Sequence, residues 1–242
     1  NSTLWSTVAG VVWIAVMTYI CYRGIQVSTR IQYGLLGTEL VVLLIFSALA
    51  LYKVYTHKAE SYSIRPSLDW LWPAGLDFGT VIAPALLVAI FIFWGWDTAV
   101  TCNEESDDPG RTPGRAAVIS TVLLLILFML VSTAAVAFAG VGTTGVGLGN
   151  QDNADDVFRA VGPALFGHTP LGDIGLVLLS ASILTSTSAC TQTTILPTAR
   201  TALSMSVFKA IPAPFSKIHH KYLTPSVATV AMGVVSTAFY VL

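Results

Sequence analysis

An all-α integral membrane fold is expected for this 242-residue chain on three observations: six apolar runs of membrane-crossing length, a charged fraction of only 10%, and a mean hydropathy of +0.73. A soluble domain carries roughly a quarter charged residues, so a chain with 54% apolar residues has too little polar surface to face water. That excludes a soluble enzyme and a disordered chain. The balance of 12 basic against 13 acidic residues leaves no basic footprint for nucleic acid. Lipid admits only helices or closed barrels, because backbone polar groups must be satisfied internally, and these runs are too long for barrel strands. Cys21, Cys102 and Cys190 have no repeated spacing, so neither a disulfide framework nor a zinc site is expected. The chain opens on Asn1 and closes inside an apolar run at Val241-Leu242, which reads as an internal piece of a longer protein.

A bilayer core about 30 Å thick is crossed by about 20 helical residues. The first span is expected over residues 4–22, free of charge, and the second over 31–55, with Glu39 inside it. The third covers 79–100 and holds Asp97; the fourth covers 116–140 and runs into a Gly-rich tail. An amphipathic helix follows over about 153–166, because Val157, Phe158, Val161, Ala164 and Leu165 recur mainly at three- and four-residue spacing while Asp155, Asp156 and Arg159 lie opposite. Pattern alone leaves it open as a lid or a surface connector. The fifth and sixth spans cover 172–199 and 222–242. Loops one, three and five carry eight basic residues against four on the other face. The positive-inside rule puts those loops in the cytoplasm and the first residue outside.

Ionisable residues inside a span are costly, so each marks a candidate site. Glu39 must be protonated, paired or open to water, which fits either a coupling group or a structural bond between helices. In the third span, Phe93-Trp94-Gly95-Trp96-Asp97 replaces a uniform apolar run. A helix broken there would expose backbone groups of the kind transporters use to hold charged substrate groups. Asn103 to Asp108, with Pro109 and Pro113 after it, reads as a solvated turn in which Glu104 or Glu105 can pair with Arg111 or Arg115 to control an inner gate. In the fifth span, Ser182, Thr185, Ser186 and Ala189 form one small-residue face. Such a face serves close helix packing, or supplies oxygens to a small cation or to the substrate; both readings stand. The histidines His57, His168, His219 and His220 form no constellation, and no metal site is expected.

Several stretches together resemble amino acid permeases of the amino acid–polyamine–organocation family. Phe93-Trp94-Gly95-Trp96-Asp97 with Asn103-Glu104-Glu105, Pro109, Pro113 and Arg115-Ala116 resembles that family's sixth helix and following loop. Ser188 through Arg200 resembles its eighth helix, Ala202 to Met205 and Phe215 to Pro225 the approach to its ninth, and Arg23 to Ser28 the turn between its fourth and fifth. The resemblance covers essentially the whole chain. It implies part of a five-plus-five inverted-repeat core, with helices four to nine present and the others missing. It also implies substrate contacts at Phe93, Trp94, Gly95, Trp96 and Asp97, and an external lid around Phe158. Many members carry a lysine in the fifth helix where this chain has Glu39, which puts a lysine-based mechanism in doubt. Glu39, Ser182, Thr185 and Ser186 are therefore the candidate coupling residues, with a proton favoured over sodium; Glu104, Glu105, Arg115 and Phe158 are the candidate gating residues.

The expected function is a secondary active transporter of amino acids or related organocations in the plasma (inner) membrane. It would work by alternating access without covalent chemistry or cofactor, its partners being the substrate, the bilayer and the missing helices of its own chain. The rivals are a channel or a non-transporting partner subunit, and, among transporters, polyamine or choline as substrate. An intramembrane enzyme would need a His, Ser–Lys or metal constellation, and no His or Lys lies in the apolar core of these runs.

Overall fold

The computed structural model describes residues 2–56, 61–93, 95, 98, 101, 106–167 and 169–242. The α-helices whose bounds fall among the described residues are α1 (Ser2–Tyr22), α2 (Ile25–Tyr55), α3 (Ala83–Ile92), α4 (Thr112–Ala139), α5 (Val157–Phe166), α6 (Pro170–Val207) and α7 (Ser226–Val241). No strand occurs among the described residues, where Ile218 and Pro225 form a single antiparallel bridge. Helices α1, α2, α4 and α6 are each long and apolar enough to cross a membrane. At 1.5 Å per residue, the 38 residues of α6 extend about 57 Å, so it projects well beyond a hydrocarbon core of about 30 Å. This is a multi-pass membrane protein.

Helix ends differ from the sequence expectation where a backbone feature overrides composition. Only Arg23 and Gly24 separate α1 from α2, which starts at Ile25 rather than 31; Gly24, at φ +111°, makes that turn, and the charge of Arg30 does not interrupt the helix. Helix α3 stops at Ile92, short of residue 100. Helix α4 starts at Thr112 with Pro113 in its first turn, and α6 runs on to Val207 through Pro197. Asn153 closes a 3₁₀ turn over Gln151–Asn153, and residues 154–156 lie outside the α-helix, because the Asp156 side chain caps α5 by accepting the Arg159 N–H at 3.0 Å. Residues 222–225 belong to a hairpin, and α7 begins only after Pro225.

The chain forms two compact units, one of residues 1–37, 95–119 and 184–242, the other of residues 38–94 and 120–183. In the first, α1 and α7 pack antiparallel at van der Waals distance. A Cβ on Gly233 would lie 2.5 Å from Thr18 Cγ2, and one on Gly10 would strike the Tyr240 ring. Small residues permit this approach, which is how helices gain packing energy in lipid. The Tyr240 hydroxyl donates to the Ser6 carbonyl (3.3 Å), and the Thr224 hydroxyl donates to the Tyr22 carbonyl (2.9 Å). Between these helices and α6, Trp13 Nε1 donates to Ser188 Oγ (2.8 Å). Buried Gln192 Nε2 donates to the Ser28 carbonyl (2.8 Å) and also contacts Ser28 Oγ.

The second unit is built on an apolar core. Val42, Phe46, Ala50 and Val54 recur every fourth residue along α2 and present one buried stripe. Ala134, Ala137 and Phe138 of α4, Val161 and Leu165 of α5, and Leu179 of α6 pack with it. Gly162 lets α5 approach α6, since a Cβ there would lie 3.0 Å from Leu176 Cδ2. Gly140 turns the chain after α4 at φ +67°, where the backbone of Tyr62 leaves no room for a Cβ. The incoming segment is tied to α4 by the Ile64 N–H on the Ala137 carbonyl (2.8 Å) and the Ser63 hydroxyl on the Phe138 carbonyl (2.6 Å).

Candidate functional site

Asp77 opens the segment that leads into α3. Its Oδ1 accepts the Thr80 hydroxyl (2.7 Å) and the Thr80 N–H (2.8 Å), and these two bonds hold its carboxyl below the ordinary value of 3.8. A π turn over Phe78–Ile82 leads into α3, with Pro84 in its first turn. Together they rise about 22 Å, less than the thickness of a bilayer core of about 30 Å. Phe93 ends the helix at φ −90°, ψ 7°, its N–H on the Ala89 carbonyl (3.1 Å) and its ring against Phe128 at 6.3 Å between centroids. Gly95 takes φ +112°, which side-chain-bearing residues rarely adopt, and its carbonyl accepts the Thr98 N–H (3.1 Å). A helix C-terminus leaves carbonyls without intrahelical partners and carries partial negative charge. Here it ends within an apolar segment.

Many hydroxyls along α6 donate back to their own helix. Ser182 donates to the Leu179 carbonyl (2.7 Å), Thr191 to Thr187 (2.8 Å), Thr194 to Cys190 (2.8 Å) and Thr198 to Thr194 (2.7 Å). These bonds satisfy the hydroxyl protons without a second helix. Pro197 has no N–H, so the Thr193 carbonyl lacks its helical donor, and the Thr98 hydroxyl reaches it at 3.5 Å. A contact of this kind was foreseeable at Pro197 in the sequence, but the identity of its partner was not.

The sequence profile of the amino acid permease family matches residues 1–242. The chain belongs to that family. It is 27% identical over 237 residues to the branched-chain amino acid permease BcaP of Bacillus subtilis (strain 168), a match covering 97% of this chain and 45% of that protein. The chain therefore spans less than half the length of this relative. No solved structure matches it.

Within this permease chain, the candidate residues fall in different places. Trp94, Trp96, Asp97, Glu104 and Glu105 lie outside the described residues. Phe93 and Gly95 mark the end of α3 and the turn beyond it, as set out above. Glu39 is half-buried on α2, at i−3 and i−7 from the core residues Val42 and Phe46. Ser182 is buried in the second unit; Thr185 and Ser186 are half-buried and belong to the first. Arg115 is exposed in the first turn of α4, its N–H on the Arg111 carbonyl (3.1 Å). Phe158 is half-buried and packs edge-on against Phe46, with centroids 5.4 Å apart at 86°. It also lines a cavity of about 340 Å³ with Asp156, Arg159, Leu176 and Ile183. His219 has a structural place: its Nδ1 accepts the N–H groups of Lys221 (3.2 Å) and Tyr222 (3.3 Å) in the hairpin before α7. No group of three or more His, Cys, Asp or Glu side chains able to hold a metal occurs among the described residues.

Proposed function

We propose that this chain is part of a secondary transporter that moves amino acids across the plasma membrane by alternating access. The observation that carries this reading is the end of α3 at Ile92, with Gly95 left-handed just beyond it, inside an otherwise apolar segment. The carbonyl end of that helix suits the ammonium group common to all amino acids. Trp94 and Trp96, as residue types beside Gly95 in sequence, add ring faces suited to the same group. Branched-chain amino acids are the first candidates, given the name of the Bacillus relative.

Transport is coupled to an ion in this reading, a proton ahead of sodium, with Glu39 as the carrier and the oxygens of Ser182, Thr185 and Ser186 as support. Glu104, Glu105 and Arg115 act at the inner gate and Phe158 at the outer lid. The first residue faces outward, as the distribution of basic loops favours. No organic cofactor takes part.

The test is uptake of labelled leucine, isoleucine, valine and a wider amino acid panel by the full-length protein in proteoliposomes, under a proton gradient, a sodium gradient or neither. Gradient-driven uptake that Glu39→Gln abolishes, with exchange retained, is the expected result. Unchanged gradient-driven uptake in the variant would remove Glu39 from coupling. Folded protein that moves no amino acid would overturn the transport reading.

A further inference from the structure

A lysine near the end of an apolar helix ordinarily extends its ammonium into water. Lys53, in the last turn of α2, directs it to protein instead. The side chain is half-buried, and its Nζ donates to the Ala164 carbonyl in the last turn of α5 (3.3 Å). The same nitrogen lies 5.8 Å from the centroid of the buried Phe138 ring of α4. Carbonyls in the last turn of a helix lack intrahelical donors and carry partial negative charge, so a cation placed there is stabilising. The aromatic face attracts the same ammonium. One charged group thus joins three helices of the second unit.

A second contact fixes the register of α5. Phe158, in its first turn, packs edge-on against Phe46 of α2. From Phe46 to Lys53 helix α2 rises about 10 Å, and from Phe158 to Ala164 helix α5 rises about 9 Å. These matched rises lay α5 along α2 in the same direction, fastened near both ends, with Val161 buried between the two contacts. The amphipathic pattern of α5 fits a separate flap equally well; the fastening does not. We infer that Lys53 is the positioning residue of α5, holding its carbonyl end so that α5 and Phe158 move with α2 and α4 as one body. The effect on transport rests on the proposed role of Phe158 as a lid residue; the fastening itself does not.

The experiment is hydrogen–deuterium exchange of the full-length protein in nanodiscs, read on the segment 161–167, with leucine uptake in proteoliposomes beside it. Lys53→Met keeps the stem and removes the charge. It should speed exchange in that segment roughly tenfold, the worth of a hydrogen bond to a charged group, and leave α2 and α4 at their original rates. Lys53→Arg should restore slow exchange. Lys53→Met should also lower the maximal rate of uptake without shifting the half-saturation concentration, because Lys53 acts on the helix and not on the substrate. If Lys53→Met fails to fold, Lys53→Gln carries the same expectation, its side chain being shorter and uncharged. Unchanged exchange in the neutral variant, an equal rise across α2, α4 and α5, or no rescue by arginine would overturn the positioning role. Faster exchange with unchanged uptake would uphold the fastening and overturn its part in transport. Protein that moves no amino acid even as wild type would overturn the transport reading, and exchange would still decide the fastening.

Discussion

The two units hold their helices together by different means. The second buries Phe46, Phe138, Leu165 and their neighbours in one apolar cluster. Among the described residues, the first has only Cys21, Ile195 and Leu196 in its buried apolar cluster, yet it contains six of the eight buried polar residues: Ser28, Ser188, Gln192, Ser206, Thr224 and Thr229. In lipid, apolar contact gains little from excluding solvent, since the tails are as apolar as leucine. Helices there associate through close packing or through hydrogen bonds; the second unit rests on an apolar cluster, while the first adds buried hydrogen bonds to the close approach of α1 and α7. Arg23 at the turn between α1 and α2, Arg200 of α6 and Lys221 of the hairpin all belong to the hydrogen-bonded unit.

This contrast can be broken by measurement. Phe46→Ala removes one of the two phenylalanines buried in the apolar unit and should cost about 3–5 kcal/mol, read as a lower melting temperature of the full-length protein in detergent. Gly233→Val forces a side chain into Thr18 and should cost about 1–3 kcal/mol, with Gly233→Ala less harmful. Gln192→Ala removes the side-chain donor from the Ser28 carbonyl and should cost about 1 kcal/mol, since hydrogen bonds between membrane helices average about 0.6 kcal/mol. A loss in Gln192→Ala equal to that in Phe46→Ala would dissolve the distinction between the units. The smallest effect is expected at Asp77. Its carboxyl titrates below the ordinary 3.8, so its capping contribution is complete above that value and fades as pH falls through the lower, folded value. Asp77→Asn should flatten the acid limb of a melting-temperature profile and leave the neutral region nearly unchanged.

The membrane fold was legible because apolar run length is a property of composition, and α1, α2, α4 and α6 each contain such a run. Helix ends were less legible, because single backbone features set them. Asp155 and Asp156 fit the polar side of an amphipathic helix, but Asp156 stands outside it as the cap. Tyr222 and Leu223 are apolar enough to extend α7, but the bridge between Ile218 and Pro225 folds them into a hairpin. At the candidate site, the Phe-Trp-Gly-Trp-Asp pattern drew attention to Gly95 because a glycine between bulky aromatics weakens a helix, and the chain turns there at φ +112°. The hydroxyl-rich face of α6 showed no such sign. Whether a Ser or Thr proton serves its own helix or a neighbour depends on its rotamer, and rotamers are not written in residue order.

The fastening of α1 to α7 has a mechanical consequence. The pair is tied near both ends, by Tyr240 on Ser6 and by Thr224 on Tyr22, with Gly233 seated against Thr18 between them. Two rods joined at three levels resist sliding along each other and resist splaying at either tip. Whatever rearrangement the full-length protein undergoes, these two helices travel as one lever, and spin labels placed on the exposed faces of α1 and α7 would keep a constant separation through it.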